Sequence, residues 1–131
     1  MRERSVRVLL AKTALDGHWR GLSIVSRGLR DHGFEAVMLG AATADEIASA
    51  ALQEDVDLVG LNVGGRIEVV ERVISAVRSR APGLPIFAGG TLSPPAVARL
   101  QELGVPAFPP GSSMESIVQA ARDLVRDSTR P

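Results

Sequence analysis

The sequence predicts a doubly wound α/β fold, a five-stranded parallel sheet with helices on both faces. Three observations predict it. Short, near-continuous apolar runs alternate with longer segments whose apolar residues recur every three or four positions. Runs of the first kind suit strands buried on both faces, as in parallel sheets. Segments of the second kind suit amphipathic helices, and five such strand–helix units fill the 131 residues. A chain of this length is expected to form one domain, residues 1–131 with a core at about 5–126. It can bury roughly two-thirds of its unfolded surface, so it needs neither disulfide nor structural metal to fold.

The first strand is read at residues 6–11, VRVLLA. The first helix follows with Leu22, Val25 and Leu29, and Gly33 after His32 ends it. A second strand is read at 36–39, and Thr43 with Glu46 has the spacing of a capping box for the second helix. The third strand, 58–63, follows Asp55 and Asp57, carboxylates at the wrong end of the sheet for a site. Ile67, Val70, Ile74 and Val77 mark the third helix, and Arg66, Arg72, Arg78 and Arg80 are expected on its solvated face. The fourth strand is read at 84–88; Ser93 followed by Pro94 opens the fourth helix, and Gly104 closes it. Residues 105–108 make a weaker fifth strand, which Pro106 consigns to an edge. Ser112 with Glu115 again has capping-box spacing, ahead of Met114, Ile117, Ala121, Leu124 and Val125 in the last helix. Right-handed crossovers with helices on both faces favour the flavodoxin-like strand order 2-1-3-4-5.

Composition excludes several function classes. Fifteen basic residues balance fifteen acidic ones, and Trp19, Phe34, Phe87 and Phe108 are the only aromatics, so no nucleic-acid surface is expected. The absence of cysteine removes disulfides, zinc–thiolate sites, iron–sulfur clusters and a thiol nucleophile. The longest apolar runs fall far short of the ~20 residues of a membrane span. The opening residues carry no secretion-type apolar region, so a cytoplasmic domain is expected. Neither a G-x-x-x-x-G-K-[ST] phosphate loop nor a G-x-G-x-x-G after the first strand is present. A G-x-S-x-G serine elbow is missing as well.

In such a sheet a ligand binds beyond the carboxyl ends of the strands, where strand order reverses. Here that crevice lies between the loops after the first and third strands. The first loop holds Lys12, Asp16, His18 and Arg20. In an extended loop, side chains two residues apart point to the same side. Asp16 can then bond one ring nitrogen of His18, fixing its tautomer and freeing the other nitrogen for a metal, with Lys12 holding the carboxylate. One histidine does not make a zinc site, which takes three or four ligands, but it suits a metal already held by a macrocycle. Asp16 can equally serve as a helix N-cap. His32, at a helix C-terminus, reads as structural. Gly64, Gly65, Gly89, Gly90 and Gly111 gather on the same rim and would let a bulky ligand approach the backbone, although strand-to-helix turns favour glycine anyway.

Asp16-Gly17-His18-Trp19-Arg20-Gly21 matches the D-x-H-x-x-G motif, and with Lys12 before it the chain resembles the cobalamin (vitamin B12)-binding domain family. Ala88-Gly89-Gly90-Thr91 and Leu103-Gly104-Val105 are similar to the acyl-CoA mutase branch, and the resemblance covers about residues 5–126. It implies that His18 is the lower axial ligand of cobalt, with Asp16 and Lys12 behind it and Gly17 and Arg20 in the motif around it. It also implies that the displaced nucleotide tail of the cofactor threads between the sheet and the first helix. Gly21, Asn62, Gly64, Gly89, Gly90 and Gly111 would line its pocket. The implied cofactor is adenosylcobalamin, and the implied partner is the large barrel subunit of an acyl-CoA mutase, on which a radical rearrangement of the carbon skeleton takes place. A corrinoid methyl-transfer protein, or a B12-binding sensor or carrier, would use the same His18 with a different partner. Asn62-Val63-Gly64 departs from the family's Ser-x-Leu, keeping a hydrogen-bonding group and removing a leucine-sized wall.

Overall fold

The structure, a computed structural model, describes residues 5–13, 20–64 and 66–128, with the side chain of residue 20 left aside. Its elements are β1 (Arg7–Lys12), α1 (Arg20–Asp31), β2 (Glu35–Ala41), α2 (Ala44–Gln53) and β3 (Leu58–Val63). They continue with α3 (Ile67–Arg80), β4 (Ile86–Gly90), α4 (Pro94–Glu102), β5 (Ala107–Phe108) and α5 (Met114–Arg126). The strands form one parallel sheet in the order β2-β1-β3-β4-β5, as the sequence predicts.

Side chains alternate across each strand, so a continuous apolar run serves two cores. Leu9, Ala11, Val59, Leu61, Ile86 and Ala88 face the core under α2, α3 and α4. Val8, Leu10, Leu58 and Phe87 face the core under α1 and α5, with Leu22, Leu29, Ile117 and Ala121.

Prolines account for two strand boundaries that differ from the sequence reading. Pro85 has no N–H to give, and β4 starts at Ile86 and runs on to Gly90. Pro106 and Pro109 flank β5 and confine it to two residues on the sheet's edge. In β2, which is longer than predicted, the register with β1 shifts: Leu10 pairs with Met38 but Ala11 with Gly40, leaving Leu39 as an extra residue.

Helix ends carry much of the local specification. Thr43 and Glu46 form the expected reciprocal capping box on α2, and Ser93 caps α4 ahead of Pro94. The last helix is a correction. Ser113, not Ser112, is the N-cap, accepting from the Ser116 N–H at 3.1 Å, while the Ser112 hydroxyl donates to the Pro109 carbonyl. Glu115 therefore sits one position too early to close a box, though it still faces the positive end of the helix. Gly33 and Gly104 end α1 and α4 with φ of +88° and +77°. In each case the next residue bonds back five positions, Phe34 to Leu29 and Val105 to Leu100. Asp55 does the same for α2 at φ +50°, followed by a Val56-to-Ala51 bond, while Asp57 accepts the Arg7 N–H at 2.9 Å. Both residues thus serve the fold, Asp55 through its backbone and Asp57 through its carboxylate. The arginine face of α3 is exposed as expected, and two of its members also make hydrogen bonds, Arg78 donating to the Leu103 carbonyl and Arg80 to the Ser49 hydroxyl. These two arginines tie neighbouring elements together.

Candidate functional site

The carboxyl ends of β1, β3, β4 and β5 converge beneath the start of α1 and the approach to α5. Strand register places two rows across the face that α1 and α5 cover. Leu10, Gly60 and Phe87 form the lower row, and Lys12, Asn62, Gly89 and Phe108 the upper. A Cβ on Gly60 would stand 2.6 Å from Phe87 Cζ and 2.7 Å from a Leu10 methyl, so the missing side chain is what lets the Phe87 ring lie on the sheet. Phe108 then meets Phe87 edge-to-face, with ring centroids 6.2 Å apart at 77°.

Above these rings is a cavity of about 510 Å³, within the size range of small-molecule sites. Leu22 and Val25 of α1 form one wall, Met114 and Ile117 of α5 the other. Gly28 lets the two helices close behind it, since a Cβ there would overlap the Met114 side chain. None of the described residues lining the cavity is charged. Gly21, Asn62, Gly64, Gly89, Gly90 and Gly111, the six positions predicted for the pocket, all line it.

Their contributions differ. Gly21 leaves the Asn62 amide room, with Nδ2 3.5 Å from where its Cβ would be. Asn62 is half-buried, and its carbonyl accepts both the N–H and the hydroxyl of Thr13, which pins the chain leaving β1. Among the described residues its side-chain amide has no hydrogen-bond partner, so a donor and an acceptor face the cavity unengaged. A Cβ on Gly111 would meet nothing within 4 Å, and its φ of +94° favours glycine. Gly90 serves the backbone instead: at φ +115°, a Cβ would press to 2.6 Å from the Val63 carbonyl oxygen.

Of the motif residues, Lys12 is buried, 2% exposed, at the end of β1, and Arg20 opens α1. Asp16, Gly17 and His18 lie outside the described residues. Among the described residues no group of His, Cys, Asp and Glu could hold a metal ion by itself. His32 lies away from the cavity and donates from Nδ1 to the Gly28 carbonyl at 2.8 Å. Sequence reasoning missed the Phe87–Phe108 floor and Met114 as a cavity wall. Gly60 was the available signal, because an isolated glycine inside an apolar strand marks a close approach.

Apolar walls, an aromatic floor and one unengaged amide suit a planar, uncharged ring system entering past the strand ends. The glycine mouth lets whatever the ring is attached to lie against the backbone. A cobalamin tail, a heterocyclic base on a sugar phosphate, has this character, so these residues fit it.

A family model described as the B12 binding domain matches residues 6–119. The chain is 35% identical to the 2-hydroxyisobutanoyl-CoA mutase small subunit of Aquincola tertiaricarbonis, over 95% of this chain and 96% of that one. It is 33% identical to the pivalyl-CoA mutase small subunit of Xanthobacter autotrophicus, over 95% and 87% respectively. It is also 33% identical to methylmalonyl-CoA mutase of Escherichia coli, where 93% of this chain matches only 18% of the larger protein. Among solved structures, a cobalamin-binding protein from Desulfitobacterium hafniense superposes with a TM-score of 0.76 at 19% identity, over 92% of this chain and 60% of that one. The signal receiver domain of the response regulator NarL from Mycobacterium tuberculosis gives 0.73 at 20% identity, over 95% and 99%. At such identities these two structures speak for the fold alone.

Proposed function

The chain belongs to the B12-binding domain family, and from that premise we propose that it is the cobalamin-carrying small subunit of an adenosylcobalamin-dependent acyl-CoA mutase, an isomerase completed by a large barrel subunit. The observation that supports this most directly is the uncharged cavity between α1 and α5, lined at the strand ends by Gly21, the last residue of the D-x-H-x-x-G motif. The match over nearly the full length of two mutase small subunits supports a small-subunit role.

In this reading His18 would hold the cobalt through one ring nitrogen, Asp16 would accept a hydrogen bond from the other ring N–H, and Lys12 would hold Asp16. Arg20 and Gly17 belong to the same sequence motif. The cavity would hold the nucleotide tail: Phe87 and Phe108 would floor the base, Asn62 would supply the polar contact, Gly21, Gly64, Gly89 and Gly111 leave the mouth free of side chains, and Gly90 lets the backbone pass close to Val63 there. The chemistry the group supplies when bound is a carbon radical, released by homolysis of its cobalt–carbon bond. The protein's task is placement and exclusion of water. This chain covers one face of a corrin, and the partner barrel would cover the other and bind the acyl-CoA. No helix among the described residues is long and apolar enough to cross a membrane; a cytoplasmic location is part of the proposal.

An absorbance titration with adenosylcobalamin tests the site. The wild type should give the spectrum of a cofactor whose own base is released and replaced by histidine, and His18→Ala should not. A wild-type spectrum identical to that of free cofactor would overturn the assignment. Copurification of a large mutase chain, with activity restored on mixing, tests the partner; a chain that binds cofactor without either would be a sensor or carrier.

A further inference from the structure

We propose that Asn62 makes the cavity selective for a cofactor tail that ends in a purine of the adenine type, over one that ends in dimethylbenzimidazole. The inference rests on the reading of this cavity as the site of the tail, and names the base it prefers.

Asn62 stands among glycines. Gly60 precedes it by two positions on β3, Gly64 follows it by two, Gly89 is its neighbour on β4, and Gly21 faces it from α1. All four line the cavity with it. At Gly60 the space is taken by the Phe87 ring, and at Gly21 a Cβ would lie 3.5 Å from Asn62 Nδ2. Lys12, its neighbour on β1, is buried and already has a partner. The Asn62 side-chain amide thus has no hydrogen-bond partner among the described residues, although the residue is only half-buried and can be reached from the cavity. Of the cavity's other polar side chains, Ser112 already donates to the Pro109 carbonyl and Thr91 is exposed. No side chain at Gly89 separates the amide from the Phe108 ring across the sheet. Whatever ring lies in the cavity therefore meets this amide as its main polar contact.

An amide presents a donor and an acceptor side by side, the N–H of Nδ2 and the lone pairs of Oδ1. The edge that satisfies both carries an acceptor next to a donor. Adenine has such an edge in ring N1 and its 6-amino group. Asparagine reads adenine in nucleic acids by the same complementarity, there through N7 and the 6-amino group. Dimethylbenzimidazole, attached through one ring nitrogen, has only the other to offer, with C–H and methyl groups elsewhere. It can accept from Nδ2, but it leaves Oδ1 against an apolar ring. An acceptor stripped of water without a partner weakens binding, and sites built around such a group reject the analogue that cannot pair with it.

Equilibrium dialysis of the full chain against two cobamides that differ only in the lower base, adenine or dimethylbenzimidazole, tests the proposal, with bound corrin read by its absorbance. The wild type should bind the adenine form at least tenfold more tightly. Adenine is the less basic ligand and leaves cobalt more readily on its own account, so the decisive comparison is between proteins. In Asn62→Ala the ratio of the two affinities should fall at least tenfold, through loss of affinity for the adenine form. Asn62→Ser, which puts one hydroxyl in place of the side-by-side pair, should lower it as well, with circular dichroism confirming that both variants fold. A ratio unchanged by these substitutions would overturn the role of Asn62. Tighter binding of the dimethylbenzimidazole form by the wild type would overturn the preference and leave the cofactor reading intact. Retention of neither form would overturn the cofactor reading itself, and this inference with it.

Discussion

On the side of the sheet covered by α2, α3 and α4, the strands present Leu9, Ala11, Val59, Leu61, Ile86 and Ala88 to a continuous apolar layer. On the side covered by α1 and α5, the intervening residues run Leu10, Gly60, Phe87 and then Lys12, Asn62, Gly89, Phe108. Among the described residues, twenty buried apolar side chains join in the first core and ten in the second. Because successive residues face opposite ways, one six-residue strand such as β3 can pack tightly on one side while its other side stays open at the top. If the cavity is the binding site, stability and binding fall to alternate positions of the same segment, and substitutions should separate them.

The largest effect is expected on the filled side. Leu100→Ala, at a position with no exposure, should cost about 2–5 kcal/mol in chemical denaturation while leaving the cobalamin spectrum of the folded fraction unchanged. Gly60→Val, on the open side, should cost about 1–3 kcal/mol through overpacking against Phe87 and Leu10. It should also abolish uptake of the tail, read as a spectrum no longer distinct from free cofactor. Normal binding by this variant would break the distinction between the two sides. Thr43→Ala removes the cap of α2, again on the filled side, and should cost about 1 kcal/mol with no spectral change.

The same capping box gives a pH dependence. The Thr43 N–H, and then its side chain, hold the Glu46 carboxyl below its ordinary value of 4.5. A carboxyl depressed in the folded state stabilises fully above the unfolded value, and the contribution is lost as pH falls through the folded one. Thermal midpoints of wild type and Glu46→Gln should therefore differ above about pH 4.5 and lose that pH-dependent difference below it. The smallest stability effect belongs to Gly89→Ala, within about 0.5 kcal/mol, since its Cβ would sit an acceptable 3.4 Å from the Phe108 carbonyl oxygen. It should nonetheless weaken cobalamin binding severalfold by narrowing the mouth of the cavity. Equal affinity would show that the cavity tolerates a wall there.

Strand runs, helix periods and most caps were legible because they depend on neighbours in sequence. Thr43 and Glu46, or Gly33 and Phe34, act within one turn, and their pattern predicts their role. The six pocket positions were named through the resemblance to the cobalamin-binding family, and strand order accounts for why those on β3 and β4 meet. What escaped depends on distant pairings. Arg78 reaches Leu103 and Arg80 reaches Ser49 across 25 and 31 residues, so no local period betrays them. Phe108 joins Phe87 only through a strand two residues long, and the choice of Ser113 over Ser112 as cap turns on one residue of phase.

The extra residue Leu39 in β2 bears on how the molecule behaves at high concentration. β2 ends the sheet, and a free strand edge is a template on which another molecule's backbone can add, the first step toward aggregation. Inserting Leu39, with Gly40 at φ +85°, kinks the row of outward amides and carbonyls partway along. An incoming strand cannot keep step across that kink, so this border of the sheet is closed to extension without any covering element.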